Sequence, residues 1–409
     1  MQQDPNIIHQ PVNLPLMGYN RTDLIFPMVE FQNRLDNVRA EMSKKGIDAL
    51  VTTTPENIFY LTGYQTLGYW YFQALIVPLD KPPFIVLRGL ENPNVHGRTY
   101  LAHSFPYLDH EDPMEKFREA IVAFDLHDKK LGVELHCYFI RNTEFAQIKS
   151  LLPDATFTDV SGLVEEFRKV KSGLEIENLK KAGRYTHMGI VAALQEAKIG
   201  KTENDIAAAF YKGSLEAGSH YMAVPPFVAS GPRSYLPHAT FMNRTLEPNE
   251  FILLEGAGAY NRYHAPCMRT IYLGNPMPWF LEIETILQEA LTTAIRSMIP
   301  GVTAAEVDHV NQKMIEKNHF GGKQTSRTGY SIGIAFAPDW GEGHIISLVE
   351  GENTVLKENM TFHVLSYIEI PESKHSKASR FGLTDSVYVT HEGGKSLINL
   401  PYKIQFSEY

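Results

Sequence analysis

The chain has 409 residues, 44% hydrophobic and 21% charged, enough apolar material for a sizeable core in two or three domains, which excludes disorder and fibrous repeats. Lys and Arg number 38 against 47 Asp and Glu, a formal charge of -9 with no Lys/Arg-rich block, which argues against nucleic acid or an anionic membrane surface as partners. Cys137 and Cys267 are too few for a disulfide framework or a cysteine metal site, the N-terminus lacks the pattern of a signal peptide, and no apolar run approaches the ~20 residues that span a bilayer, so a soluble cytoplasmic protein is expected.

Residues 1–28 are polar and proline-marked and read as an irregular arm. From Val29 to Met42 apolar residues fall at helical spacing, and Gly46 closes that helix. Strand-like runs follow at 48–54, 74–77, 84–87, 131–135 and 156–160, with a helix over about 144–152, so residues 29–165 read as an α/β domain. From about Leu163 to Ala197 the pattern is long helix charged on one face, and the domain boundary is placed there, with residues 166–409 as the second domain. Proline and glycine punctuate 218–250. Phe251–Leu254 and Thr270–Leu273 look like paired strands. Helices at about 279–299 and 303–318 are separated by Pro300–Gly301, and short strands are expected over 329–391.

Five segments carry a resemblance. ENIFYLTGY (56–64), RKVKSGLEIENLKKAG (168–183), ILLEGAGAYNRYHAPCMRTIYLG (252–274), GYSIGI (329–334) and SVYVTHEGG (386–394) stand in the order and spacing of the creatinase and prolidase branch of the pita-bread metallopeptidase superfamily. The chain resembles that superfamily over about residues 29–400. The resemblance implies an α/β N-terminal domain followed by an α+β pita-bread catalytic domain. Peptidases of this superfamily hold two metal ions through two aspartates, a histidine and two glutamates. Carried over position by position, those ligands fall here on Glu255, Pro266, Tyr330, Leu365 and Thr384. Proline and leucine have no donor atom, tyrosine and threonine are poor substitutes, and one carboxylate does not hold a divalent ion. The expectation is an enzyme without metal or other cofactor.

What remains is usable chemistry. His238, in SYLPHATFMN, matches the histidine that creatinase and its relatives place over the substrate, and its ordinary pKa near ~6.5 suits proton transfer at neutral pH; the bland reading is a surface histidine. Glu255 follows the apolar run Ile252–Leu254, where a carboxylate is costly unless paired with a cation. That cation is either Arg269 or Arg262, giving a structural brace, or a cationic substrate that Glu255 serves as base or nucleophile. Tyr263, His264 and Arg269 share its hairpin and are candidate substrate contacts, although Arg269 belongs to a family arginine–threonine pair whose role is often structural. Arg233 and Arg262 are weaker candidates for gripping a carboxylate. His363, two residues before Leu365, should share its face, or else be a packed core histidine. Tyr330 and Trp340, with Tyr69 and Trp70 in the first half, are aromatics that either fill the core or line a cation site.

A glutamate in the first aspartate slot, RYHAP at 262–266 and GYSIGIAFAPDWGE at 329–342 resemble the ectoine hydrolase branch more closely than creatinase. That resemblance implies opening of a cyclic amidine ring to an N-acetyl-2,4-diaminobutyrate, with Glu255 at the amidinium carbon and His238 shuttling protons. It also implies a homodimer in which the aromatic run 64–72 serves the neighbouring site. The alternatives are a creatinase-like hydrolase of another small zwitterionic amidine or guanidine, and an inactive pita-bread module that binds peptides.

Overall fold

The computed structural model describes residues 24–370 and 379–407, so nearly all of the expected N-terminal arm lies outside the described residues. The chain divides after Arg168 into two compact units. Among the described residues no helix is long and apolar enough to cross a membrane.

In the first unit α1 (Met28–Lys44) is amphipathic, burying Phe31, Leu35, Val38 and Met42 at helical spacing, and the chain leaves it through Gly46 at φ +61°. There follow β1 (Ala49–Thr52), α2 (Pro55–Thr62), β2 (Ala74–Pro78), β3 (Phe84–Arg88), α3 (Asn92–Arg98), β4 (His103–Tyr107), α4 (Pro113–Ala123), β5 (Lys130–Val133), α5 (Asn142–Leu151), β6 (Thr156–Asp159) and α6 (Leu163–Arg168). The six strands order as β4-β3-β2-β1-β5-β6, with β2 antiparallel to both neighbours and the remaining pairs parallel. The strands β1 to β3 are buried nearly throughout, as continuous apolar runs covered on both faces should be.

The second unit does not continue one long helix from residue 163. The helix stops at Arg168 and restarts as α7 (Gly173–Glu196), because Ser172 and Glu175 form a capping box: the Ser172 hydroxyl accepts from the Glu175 amide at 3.3 Å, and Glu175 accepts from the Ser172 amide at 2.9 Å. α8 (Glu203–Glu216), which hydrophobic patterning did not reveal, starts on the same device at Thr202 and Asp205. Then come β7 (Phe227–Ser230), β8 (Phe251–Tyr260), β9 (Tyr263–Leu273), α9 (Pro278–Ser297), α10 (Ala304–Ile315), β10 (Gly329–Ser331), β11 (Ser347–Leu348), β12 (Thr361–Ile370), β13 (Ser379–Thr390), β14 (Gly393–Ser396) and β15 (Gln405–Ser407). The last third is therefore built mainly on two long strands, β12 and β13, rather than on short ones alone.

The main path of the second sheet runs β11-β10-β12-β13-β9-β8-β7. One face is closed by helices. Gly256 and Gly258 let α7 and α8 approach β8 so tightly that an added Cβ would stand 2.4 Å from the Phe210 ring and 2.6 Å from the Thr186 amide. Farther along, Phe280, Ile283, Leu287 and Leu291 of α9 pack in one core with Phe362, Val364 and Ile368 of β12 and Phe381, Leu383 and Val387 of β13. Each such side chain contributes about 1.5–3 kcal/mol by burial. The opposite face of the same strands carries the candidate site.

Candidate active site

Cross-strand partners in a sheet point to the same side. Glu255 pairs with Met268, Pro266 with Ala257, Thr384 with Leu365, and His363 with Tyr330, while Leu383 opposite Arg269 sets the register between β13 and β9. The five positions that correspond to the peptidases' metal ligands, Glu255, Pro266, Tyr330, Leu365 and Thr384, therefore share one face, and His363 shares it with them.

These residues do not fit a paired metal centre. Leu365 joins Leu253, Met268 and Tyr367 in a small apolar cluster on that face. The Tyr330 and Thr384 hydroxyls are engaged with His363, at 2.9 Å to Nδ1 and 2.7 Å to Nε2. Among the described residues no three His, Cys, Asp or Glu side chains converge as a metal site requires. No step below is routed through a metal.

Glu255 is the chemically exceptional group. Among the described residues its carboxylate makes no hydrogen bond or ion pair. The residue is only part-buried and its carboxylate keeps some solvent contact, yet the protein packed around it lifts its pKa to about 7, opposed by the nearby charge of Arg380. Arg380 lies on the site face of β13, four residues before Thr384, and is ion-paired with Glu369. Sequence patterning did not select it, although its parity with Thr384 was readable.

The brace between Glu255 and an arginine does not form. Arg269 stands opposite Leu254 on the helix-covered face, where its guanidinium donates to the carbonyls of Thr384 at 2.6 Å and Met268 at 2.8 Å. Arg262 lies over the Phe336 ring at 4.4 Å, and Arg233 is paired with buried Glu203. Tyr263 likewise faces away from Glu255 and donates to Glu175 at 2.9 Å. His264 has the right parity, but Nε2 accepts from the Ala223 amide at 3.0 Å and Nδ1 is 2.9 Å from the Arg262 carbonyl. Both nitrogens are occupied, and burial lowers its pKa to about 4. Arg269, Tyr263 and His264, expected as substrate contacts, are each held by protein partners here; sharing a hairpin with Glu255 does not bring Arg269 or Tyr263 to its face.

Around Glu255 the structure gathers aromatic rings. Phe227 of β7 is its other cross-strand partner. The Phe227 ring lies 5.0 Å from Trp340 and 5.5 Å from His238. His238 is exposed and holds a left-handed φ of 54° just after a 3₁₀ turn, so it approaches the site from the solvent side through Phe227. Trp340 is buried and donates Nε1–H to the Tyr330 oxygen at 2.9 Å. Arg327, which the motifs did not reveal, stands over the Tyr330 ring at 4.5 Å. His363 is fully buried and its pKa falls to about 3, burial being the main cause, with Arg327 and Arg269 adding to it. Tyr69 and Trp70 belong to the first unit, where their rings are 6.1 Å apart and Trp70 is 64% exposed.

Residues 177–391 match the model of metallopeptidase family M24, and residues 34–170 match that of the creatinase/prolidase N-terminal domain. An uncharacterized hydrolase/peptidase of Sinorhizobium fredii is 30% identical over 93% of this chain and 98% of its own. The ectoine hydrolase of Halomonas elongata is 28% identical over 94% of this chain and 99% of its own. Among solved structures, a recombinant prolidase from Thermococcus sibiricus has the same fold, with a TM-score of 0.81 at 22% identity, over 92% of this chain and 99% of that one.

Proposed function

The chain belongs to metallopeptidase family M24, a family of hydrolases, and from that premise we propose that it is a metal-independent hydrolase that opens the cyclic amidine ring of ectoine. The observation that carries this reading is Glu255, a part-buried carboxylate that has no side-chain partner among the described residues, on a face flanked by Phe227, Tyr330 and Trp340. A planar cation between that carboxylate and aromatic rings would offset the cost of its ionisation and gain cation–π attraction. The 28% identity to an ectoine hydrolase supports an amidinium as that cation.

The reaction is balanced without a metal. Water adds its oxygen to the amidinium carbon, the ring C–N bond breaks, and the released nitrogen takes up both protons that water loses, leaving as an ammonium while the oxygen becomes the amide carbonyl. Glu255, once ionised, either attacks that carbon or receives the water proton. His238, at the solvent side, then carries a proton to the departing nitrogen. The product is an N-acetyl-2,4-diaminobutyrate. The same reading includes a homodimer in which the exposed run around Trp70 serves the neighbouring subunit, and a purified protein that light scattering finds to be a dimer would agree with it.

The test is to incubate the purified chain, in the presence of a chelator, with ectoine, creatine and an Xaa-Pro dipeptide in parallel. Mass spectrometry should find one added water on ectoine alone, and elemental analysis should find no stoichiometric divalent ion. Cleavage of the dipeptide restored by added metal would overturn the proposal, and turnover of creatine alone would move it to the guanidine branch.

A further inference from the structure

On the helix-free face of the second sheet, a chain of side chains runs from Trp340 through Tyr330 and His363 to Thr384. Its distances are 2.9 Å from Trp340 Nε1 to the Tyr330 oxygen, 2.9 Å from there to His363 Nδ1, and 2.7 Å from His363 Nε2 to Thr384 Oγ1. Both ends are capped by groups that can only donate: the indole N–H of Trp340 and the backbone N–H of Met268, which lies 2.7 Å from Thr384 Oγ1.

The proton count then has two solutions. A neutral imidazole carries one proton, and each hydroxyl carries one, so three protons serve two internal hydrogen bonds. One proton is left over at one end. If Tyr330 donates to Nδ1, then Nε2–H donates to Thr384, and the Thr384 proton is left over. Thr384 has no solvent exposure, and the acceptor at hand is the Cys267 sulfur, a weak one. If Thr384 instead donates to Nε2, then Nδ1–H donates to the Tyr330 oxygen, which already accepts from Trp340. The Tyr330 proton is left over, at the end of the chain that feels the Glu255 charge and retains slight solvent contact. Stranding a donor at a fully buried hydroxyl is the costlier solution.

We infer that Thr384 and His363 act as positioning residues that hold the imidazole as its Nδ1–H tautomer, so that Tyr330 presents its hydroxyl hydrogen to the substrate beside Glu255. A carboxylate and a hydroxyl donor then face one ligand together, the former for its cation and the latter for an acceptor oxygen. Arg233, Arg262 and Arg269 are engaged elsewhere, Arg380 is paired with Glu369 and Arg327 donates to the Ser347 hydroxyl, so the Tyr330 hydroxyl is the neutral donor at the Glu255 end of the chain. The donor's role in turnover rests on the hydrolase reading above; the tautomer does not.

Neutron diffraction from crystals exchanged into heavy water near neutral pH reads the arrangement directly. The expected result is a deuteron on His363 Nδ1 and none on Nε2, one on Thr384 Oγ1 aimed at the ring, and the Tyr330 deuteron turned away from His363. A deuteron on Nε2 overturns the inference. Thr384→Val, nearly isosteric, should lower kcat/KM on ectoine about tenfold, Thr384→Ser should recover most of that loss, and Tyr330→Phe should lose at least as much as Thr384→Val. Unchanged kcat/KM in a folded Thr384→Val protein overturns the positioning role. The neutron result needs no substrate, so it separates failure of this inference from failure of the ectoine assignment.

Discussion

Each unit of this protein buries carboxylates at a place where the chemistry could in principle be functional, and the two places differ in one respect. In the first unit Glu134 accepts from the Thr52 hydroxyl at 2.5 Å and from the Asn57 amide at 2.8 Å. The same Asn57 amide donates to Glu165 at 2.8 Å, and Arg168 donates to the Asn57 carbonyl oxygen at 2.7 Å. Burial and the neighbouring Glu165 raise the Glu134 pKa, yet the group, just after β5, is locked in a network of side chains from β1, α2 and α6. In the second unit Glu255 is raised by burial as well, but no donor among the described residues meets it. A perturbed pKa is therefore common to both, and the missing partner is what separates them. A satisfied buried carboxylate rigidifies its domain, whereas an unsatisfied one facing aromatic rings is a place for a ligand.

The contrast is broken or sharpened most strongly at Glu255. Glu255→Gln should lower turnover of ectoine by three decades or more, while the melting temperature at pH 8 stays level or rises, because the ionised form is disfavoured in the folded protein. Glu255→Asp should also lose about 10²-fold, since shortening the side chain withdraws the carboxylate by about an ångström. A stable, fully active Gln variant would remove Glu255 from the chemistry.

His238→Ala should cost about 10²–10⁴-fold in turnover with little change in melting temperature, as the ring is exposed and packs on Phe227 alone among the described aromatic rings. Loss of stability in parallel with activity would make it a structural residue.

Asn57→Ala should act on the other side of the comparison. It strips Glu134, Glu165 and Arg168 of a shared partner and should destabilise the protein by about 1–3 kcal/mol for each group left unpaired, read by denaturant unfolding, without altering the chemistry of molecules that remain folded. Equal stability with reduced turnover would reverse the roles assigned to the two sites.

The smallest effects are in pH. With its folded pKa raised to about 7 from an ordinary value of 4.5, Glu255 binds protons more tightly in the folded protein, so its contribution to stability is present below pH 4.5 and is lost as pH rises to 7. His264 and His363 act in the opposite direction: from an ordinary 6.5 they fall to about 4 and about 3, so their contribution is present above pH 6.5 and is lost as pH falls through that range. Glu255→Gln should remove the first slope and leave the second, as melting temperatures across pH 4 to 8 will show. In turnover, kcat/KM should rise along a limb centred near pH 7 as Glu255 ionises to meet a cation.

Much of this architecture was legible in the chain itself. The helix at Val29–Met42, the α/β order of the first half and the paired strands around residues 251–273 follow from periodicity, and β8 and β9 prove only longer than their apolar cores suggested. The five ligand slots lie on one face, as a common ancestral site requires. Errors arose where local pattern competes with a stronger local device or with tertiary contact. The capping box at Ser172 interrupts what helical spacing reads as one helix, and α8 is pinned by Thr202 and Asp205 although its apolar stripe is modest. Arg269 and Tyr263 were readable in part, since period-two parity already sets both on the face away from Glu255.

The sequence by itself determined the family and which side chains stand where the resemblance puts metal ligands, Glu255 being the one carboxylate among them, because motif order and side-chain chemistry do not depend on coordinates. Only the tertiary structure decided which charges meet. It sent Arg269, Arg262 and Arg233 to backbone carbonyls, an aromatic ring and Glu203, left the Glu255 carboxylate without a partner among the described residues, and joined Tyr330, His363 and Thr384 from three strands into one hydrogen-bonded chain. The physical reason is that hydrogen bonds and ion pairs act over a few ångströms between residues tens of positions apart, and strand register alone sets those distances.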